Sequence, residues 1–343
     1  MNSKEYPVKK NQILTLSVDS IAYGGKGVAR LDGYVIFIKN AIPGQELEVK
    51  IIKRKSSYAE ALILNVVKES DWTIESQCPW FADCGGCTFQ NIGYENQLKI
   101  KKQQVEDVYR HLSHVGAVKI LDPLPSPATQ AYRNKMEFSA GDSRWLHKVD
   151  DPETAKDFAI GLHAPGRFDK ILDIESCLLQ DDERNEIFKF IRQWAKENNI
   201  TLNNPRQHTG FLRNIMIRKG EHSGEIMVNM ITRTYEKELM QHLAEDIREK
   251  FPSVTSFMNN VTASLGGHSR GEQEYCITGN AVIHDRIGDI DYEISPNSFF
   301  QTNTSGAEGL YDVVKKYAES AGSPVIWDFY SGTGSIALYL AKA

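Results

Sequence analysis

The amino-acid sequence predicts an α/β chain of several domains, and three observations carry that expectation. Over the first 70 residues, short β-rich runs alternate with Gly-containing turn dipeptides. Between about residues 131 and 250, strand-like runs are interspersed with two stretches of helical periodicity. Near residue 324 an apolar run leads through a Gly-rich turn into an apolar helical segment. A chain of 343 residues with 41% hydrophobic content has material for two or three domains. We place their boundaries at residues 1–70, 71–290 and 291–343.

The first domain holds five runs, ILTLSV, GVARL, YVIFI, ELEVKII and AEALILNVV, separated by GG, DG and PG. Five short strands with tight turns predict an OB-like barrel, a fold that often binds single-stranded nucleic acid through stacked aromatics and a basic groove. Tyr23, Tyr34, Phe37 and Tyr58 are candidate stacking faces, although half of such a set usually packs inward. The net charge of −5 argues against nucleic acid until it is divided along the chain. Residues 1–70 carry 11 Lys and Arg against 7 Asp and Glu, whereas residues 141–343 carry 22 against 30. The basic excess is concentrated in KIIKRK, with Lys50, Lys53, Arg54 and Lys55. A solvated strand end is the ordinary reading of such a run.

Next comes CPWFADCGGC, residues 78–87, with Cys78, Cys84 and Cys87 spaced C-x5-C-x2-C. In YENQLKIKKQQVEDVYRHLSHV, residues 94–115, Leu98, Val105, Val108 and Leu112 recur at helical spacing, which predicts an amphipathic helix. DPLPSPATQ, residues 122–130, is the best internal linker. YRNKMEFSAG, DFAIGLHAPG, KILDIESCLL, FLRNIMIRKG and EIMVNMITR read as strands of a largely antiparallel sheet, with helices near 181–198 and 236–250. KVDDPETAKD reads as an exposed hairpin loop.

Soft thiolates at short spacing select zinc or iron–sulfur clusters, and four are normally needed. Three in one loop predict a distant fourth, either Cys177 or Cys276. A structural zinc site more often uses paired CxxC knuckles, of which this chain has one. A thioredoxin-like site leaves Cys78 unexplained. Gly85 and Gly86 allow a tight turn that brings amide donors toward sulfur.

In PVIWDFYSGTGSIALYLAKA, the apolar strand VIWDF, the turn SGTG and the helix after it form the first βα unit of a Rossmann-like sheet. Gly332 and Gly334 permit close approach of a ligand. The same pattern also suits a dinucleotide site, which needs an acidic residue about 20 positions further on.

Taken together and in this order, these segments resemble the RNA uracil-C5 methyltransferases that carry an N-terminal TRAM domain and a [4Fe-4S] cluster. GGKGVARLDGYVIFIKNAIPGQELEVKI is similar to the TRAM barrel, CPWFADCGGCTFQNIGYENQLKIKKQQV to the cluster loop and its helix, and AYRNKMEF and GFLRNIMIR to central-domain strands. SPNSFFQTNT and WDFYSGTGSIALYLA are similar to the start of the methyltransferase domain. The resemblance implies a [4Fe-4S] cluster on Cys78, Cys84, Cys87 and Cys177, and it leaves Cys276 structural. It implies S-adenosylmethionine contacts at Gln301 and Tyr330, and beside Gly332. Ser335 stands where some members have a contacting asparagine. Without the resemblance, Gln301 reads as a polar residue at a helix N-terminus. RNA contacts are implied for Lys53, Arg54, Lys55, Arg133 and Lys135.

The implied reaction is addition of an enzyme thiolate at C6 of a uridine, methyl transfer to C5, and removal of the C5 proton by a base. The target base must leave its stack for C6 to be reached. In the family the nucleophile and the base lie downstream of the Gly-rich loop, so the resemblance implies that these 343 residues are an N-terminal portion, inactive alone. The expected RNA is 23S ribosomal RNA first and tRNA second. The expected state is a cytoplasmic monomer that does not engage a membrane. A zinc-containing RNA-binding module and a nicotinamide oxidoreductase with a redox CxxC are the rival readings.

Overall fold

A computed structural model describes residues 6–111, 116, 118–147, 150–264, 266, 270–322 and 325–341. The chain divides into two compact units, one of Met1–Ala82 and Cys87–Pro125, the other of Asp83–Gly86 and Ser126–Ala343.

In the first unit, β1 (Ile13–Ser17), β2 (Ser20–Ile21), β3 (Gly27–Leu31), β4 (Tyr34–Ile38), β5 (Glu46–Arg54) and β6 (Tyr58–Lys68) form one sheet, ordered β1-β5-β6-β4-β3-β2. Each of the five expected runs is a strand, and the two-residue β2 is the addition. Asp32 and Gly33 both have positive φ, 50° and 80°, and join antiparallel β3 and β4. That two-residue turn matches the right-handed twist of its strands. Strict alternation sends Leu47, Val49 and Ile51 of β5 inward, onto Ile36 and Ile38 of β4 and Ala59 and Ala61 of β6. Each fully buried aliphatic side chain contributes roughly 1.5–3 kcal/mol.

Tyr34 belongs to this core rather than to a stacking surface. Its hydroxyl lies 2.7 and 2.6 Å from the carbonyls of Lys55 and Tyr58 and shares its single proton between them, closing the β5–β6 hairpin. Phe37 and Tyr58 lie on the other face and meet edge-on with ring centroids 5.5 Å apart, and Tyr23 is 92% exposed.

Helix α1 (Tyr94–His111) follows the cysteine loop, and residues 112–115 of the expected helix lie outside the described residues. Its buried side chain is Ile100, packed with Ile21, Ile42 and Ile92. One turn on, Gln104 donates to the carbonyls of Ile21 and Ala22. Val105 and Val108 are exposed. The expected apolar stripe is therefore not the buried one, because the short β2 segment engages the Ile100–Gln104 face.

The second unit is built on eight strands: β7 (Lys135–Gly141), β8 (Arg144–Trp145), β9 (Ala159–His163), β10 (Ile171–Asp173), β11 (Leu212–Lys219), β12 (Ile226–Thr232), β13 (Val254–Val261) and β14 (Gln273–Gly279). Their order is β14-β13-β12-β11-β7-β9-β10-β8. Helices α2 (Asp182–Glu197) and α3 (Lys237–Lys250) match the two expected positions. The sheet is antiparallel except at β12–β13 and β10–β8. The first exception arises because α3 carries the chain from β12 across to β13, and a helical crossover returns the strand in the same direction.

Ile187, Phe188, Ile191, Trp194 and Ala195 of α2 are buried, and the Phe188 ring stacks on Phe138 of β7 at 3.9 Å. Beyond β14, the hairpin β15 (Ile283–Ile287) and β16 (Ile290–Ile294) and the helix α4 (Thr304–Ala321) pack with Met216, Met227, Ile231 and Met258 of the sheet. Residues 150–157 of the expected hairpin loop connect β8 to β9, while residues 148 and 149 lie outside the described residues.

Helix α5 (Ser335–Ala341) ends the described chain, but residues 325–328 form no strand. Ile326, Trp327 and Phe329 of VIWDF are more than half exposed. No helix among the described residues is long and apolar enough to cross a membrane.

Candidate functional site

The cysteine loop is held by its own backbone and by β9. Phe81 N–H donates to the Cys78 carbonyl at 3.1 Å, and Ala82 takes a positive φ of 76°. Asp83 is anchored by His147 at 3.3 Å, and Gly85 N–H donates to the His163 carbonyl at 2.9 Å. A Cβ on Gly85 would stand 2.7 Å from that same carbonyl oxygen. Glycine is needed here for close packing; Gly85 and Gly86 do not adopt positive φ.

Gly86 N–H points to Cys84 Sγ at 3.3 Å and Gln90 Nε2 to Cys87 Sγ at 3.2 Å, and the Cys78 sulfur receives backbone N–H donors from Trp80 and Phe81. Such donors stabilise thiolate character in a ligand. Burial pushes the Cys78 thiol above its ordinary range, and nearby Cys87 adds to the effect. Cys177 is buried in the loop between β10 and α2. Asn185 of α2 clamps it, accepting from Cys177 N–H at 2.9 Å and donating to its carbonyl at 3.2 Å. Among the described residues, no three His, Cys, Asp or Glu side chains form a group that could hold a single metal ion. Cys276 lies exposed on β14, with its thiol pushed up by partial burial, the reverse of an activated nucleophile.

The basic residues differ in availability. Lys53 pairs with Glu60 at 2.9 Å, and that hydrogen bond raises its pKa. The Arg54 guanidinium lies 4.4 Å from the Tyr6 ring centroid and donates to the Val8 carbonyl. Lys55 is exposed and its ammonium makes no ion pair among the described residues. Arg133 Nε donates to the Lys135 carbonyl, and Lys135 is half-buried, with its pKa lowered by burial and then by Arg218.

Between these two stands Asn134, which the sequence reading passed over. Its Nδ2 donates to the Gln301 carbonyl at 2.6 Å and to Thr304 Oγ1 at 2.9 Å, and its N–H donates to the Thr302 carbonyl. One residue at the start of β7 thus positions the segment preceding α4. The N-cap of α4 is Asn303, whose side chain accepts from Gly306 N–H. Gln301 is not the cap, and among the described residues its side-chain amide has no hydrogen-bond partner. Tyr330 is fully exposed with a positive φ of 63°, and Gly332 and Gly334 also have positive φ with open space around them. Ser335 Oγ is instead engaged by the buried Tyr311 hydroxyl at 2.7 Å. A ligand contact at Ser335 would have to compete with that bond.

Residues 7–64 match the TRAM domain. An uncharacterized RNA methyltransferase of Chlorobaculum tepidum is 36% identical over 349 residues, covering 100% of this chain and 72% of that protein. Another, of Halalkalibacterium halodurans, is 32% identical over 342 residues and covers 100% of this chain and 72% of its own. Among solved structures, the Pyrococcus abyssi tRNA (uracil-54, C5)-methyltransferase in complex with S-adenosyl-L-homocysteine superposes with a TM-score of 0.68 at 26% identity. That match covers 95% of this chain and 70% of the other. The relatives align along the whole of this chain, and the comparisons do not support the expectation that it is inactive. With such relatives spanning its full length and a TRAM domain at its front, this chain belongs to the TRAM-containing RNA methyltransferases.

Proposed function

We propose that the chain serves S-adenosylmethionine-dependent methylation of uracil C5 in RNA. The observation that carries this reading is the structural likeness, over 95% of the chain, to an enzyme named for that reaction. S-adenosylmethionine supplies the electrophilic methyl group when bound. On this chain the Gln301 amide, without a hydrogen-bond partner among the described residues and fixed through its backbone by Asn134, and the open turn at Tyr330 and Gly332 are the groups that would hold it. Ser335 is a lesser candidate, because Tyr311 occupies its hydroxyl. None of the five cysteines is assigned as nucleophile.

The RNA is met by the TRAM sheet, with Lys55 exposed and Lys53 partly neutralised by Glu60. Arg133 and Lys135 add positive charge at the start of β7. The resemblance favours 23S ribosomal RNA, while the substrate in the neighbour's name favours tRNA.

Cys78, Cys84, Cys87 and Cys177 are proposed to hold a [4Fe-4S] cluster. The N–H donors at the sulfurs of Cys78, Cys84 and Cys87 suit that role. The cluster would fix the loop rather than supply electrons, since this methyl transfer needs none.

Disrupting the gene should remove 5-methyluridine from one site in ribosomal RNA or tRNA, and complementation should restore it. Loss of some other modification instead would refute the reading. Cys177→Ala, purified without oxygen, should lose iron and acid-labile sulfide together, and a variant that kept both would overturn the ligand set.

A further inference from the structure

A cavity of about 750 Å³ in the second unit has no role in the reading above. Its volume lies within the range of small-molecule sites. Arg167, Arg213 and Arg233 line it against the single carboxylate of Asp169. That carboxylate is already committed, to Arg167 at 3.2 Å and to Arg206 at 2.6 Å. The wall is therefore net positive even with its histidines neutral.

Arg213 is the informative group. It is 5% exposed, and its terminal nitrogens donate to the carbonyls of Thr262, Ser264 and Gly266. Its Nε is buried and, among the described residues, has no hydrogen-bond partner. A buried guanidinium is held by such carbonyls, but a donor left unpaired costs about 1–3 kcal/mol unless something else accepts from it. Burial disfavours the charge on Arg213, neighbouring Arg233 adds to that effect, and Glu272 opposes it. Two neighbouring guanidinium groups with a spare donor suit an anion.

The rim supplies different chemistry. Phe168 is 68% exposed, with the Arg206 guanidinium 5.8 Å from its ring centroid. An exposed ring backed by a cation suits stacking against a nucleobase. Inside, Ser139 Oγ accepts from Asn214 Nδ2 at 3.3 Å and lies 3.1 Å from His163 Nε2, a polar edge able to meet a base. Gly85 and Gly86 form part of the same wall, so the cysteine loop helps to shape it.

We propose that this cavity binds one nucleotide of the RNA other than the methylated uridine, its phosphate facing the arginines and its base on Phe168. The inference rests on the RNA-methyltransferase reading. It makes the central domain, and not the TRAM sheet alone, a reader of the RNA strand.

The test is fluorescence anisotropy of the full chain with a fluorescein-labelled single-stranded RNA decamer of mixed sequence. Phe168→Ala should weaken binding about tenfold, from the loss of one base stack, and Phe168→Trp should restore it. Arg167→Gln should weaken binding and reduce the slope of log affinity against log salt by about one. Phe168 is mostly exposed, so thermal unfolding of its variants should match that of the parent. If the parent binds the decamer and all three variants bind equally well, the cavity inference is overturned while the RNA reading stands. If the parent does not bind the decamer, both fall.

Discussion

Asp181 is the residue through which acid should reach the candidate site. Its side chain caps α2 by accepting from Arg184 N–H at 3.0 Å. It also accepts from Arg184 Nε at 3.0 Å and Lys219 Nζ at 2.8 Å. Burial alone would raise its pKa, but these hydrogen bonds outweigh burial and hold it at about 2, against an ordinary 3.8. That difference corresponds to roughly 2 kcal/mol of stability. A lowered carboxyl contributes fully above pH 3.8 and loses its contribution as pH falls through about 2. Arg184 is fully buried and donates in turn to the Arg133 carbonyl, so the effect is felt at the start of β7.

Asp181→Asn keeps an acceptor for the helix cap and removes only the charge. The variant should be less stable than the parent by about 2 kcal/mol at pH 7, and the gap should narrow below pH 3.8 and close near pH 2. Urea denaturation combined with hydrogen exchange of the α2 peptide would measure it for the second unit specifically. A gap that stayed constant from pH 7 to about pH 2.5, or one below about 0.5 kcal/mol at neutrality, would refute the argument.

Two further substitutions probe the ligand-facing groups. Asn134→Ala removes the bonds to the Gln301 carbonyl and Thr304, costs about 1–3 kcal/mol and should weaken S-adenosylmethionine binding in calorimetry. Unchanged affinity would show that Asn134 does not position Gln301. Lys55→Ala should lower RNA affinity uniformly across sequences and reduce the log–log salt slope by about one, more than Lys53→Ala, whose charge is already shared with Glu60. Equal effects of the two would mean that the ion pair opens on binding.

What the sequence by itself determined was local. The alternation of Leu47, Val49 and Ile51, the Asp32–Gly33 turn and the helices α2 and α3 are set by side-chain period and by φ preference, and both can be read within a few residues. The cysteine spacing and the Gly-rich turn were legible for the same reason, and they pointed to the family.

The tertiary structure decided which partner each element meets. Strand β13 was hidden because Asn259 and Asn260 break its apolar run, yet both are fully buried. Asn259 Nδ2 donates to the Met230 carbonyl and to Thr232, so its amide donors are met by a neighbouring strand that periodicity cannot identify. VIWDF has the composition of a buried strand, yet among the described residues it forms none, and composition alone does not supply the pairing edge a strand requires. Helix α1 buries Ile100 and not its longer valine stripe, and Tyr34 turns inward to close a hairpin. Asn134 and Arg213 carry no motif, and they acquire meaning only when Gln301, 167 residues away, and the carbonyls of Thr262, Ser264 and Gly266 are brought to them. Those contacts join residues far apart in the chain, and side-chain period and turn chemistry hold no information about which distant segments will meet.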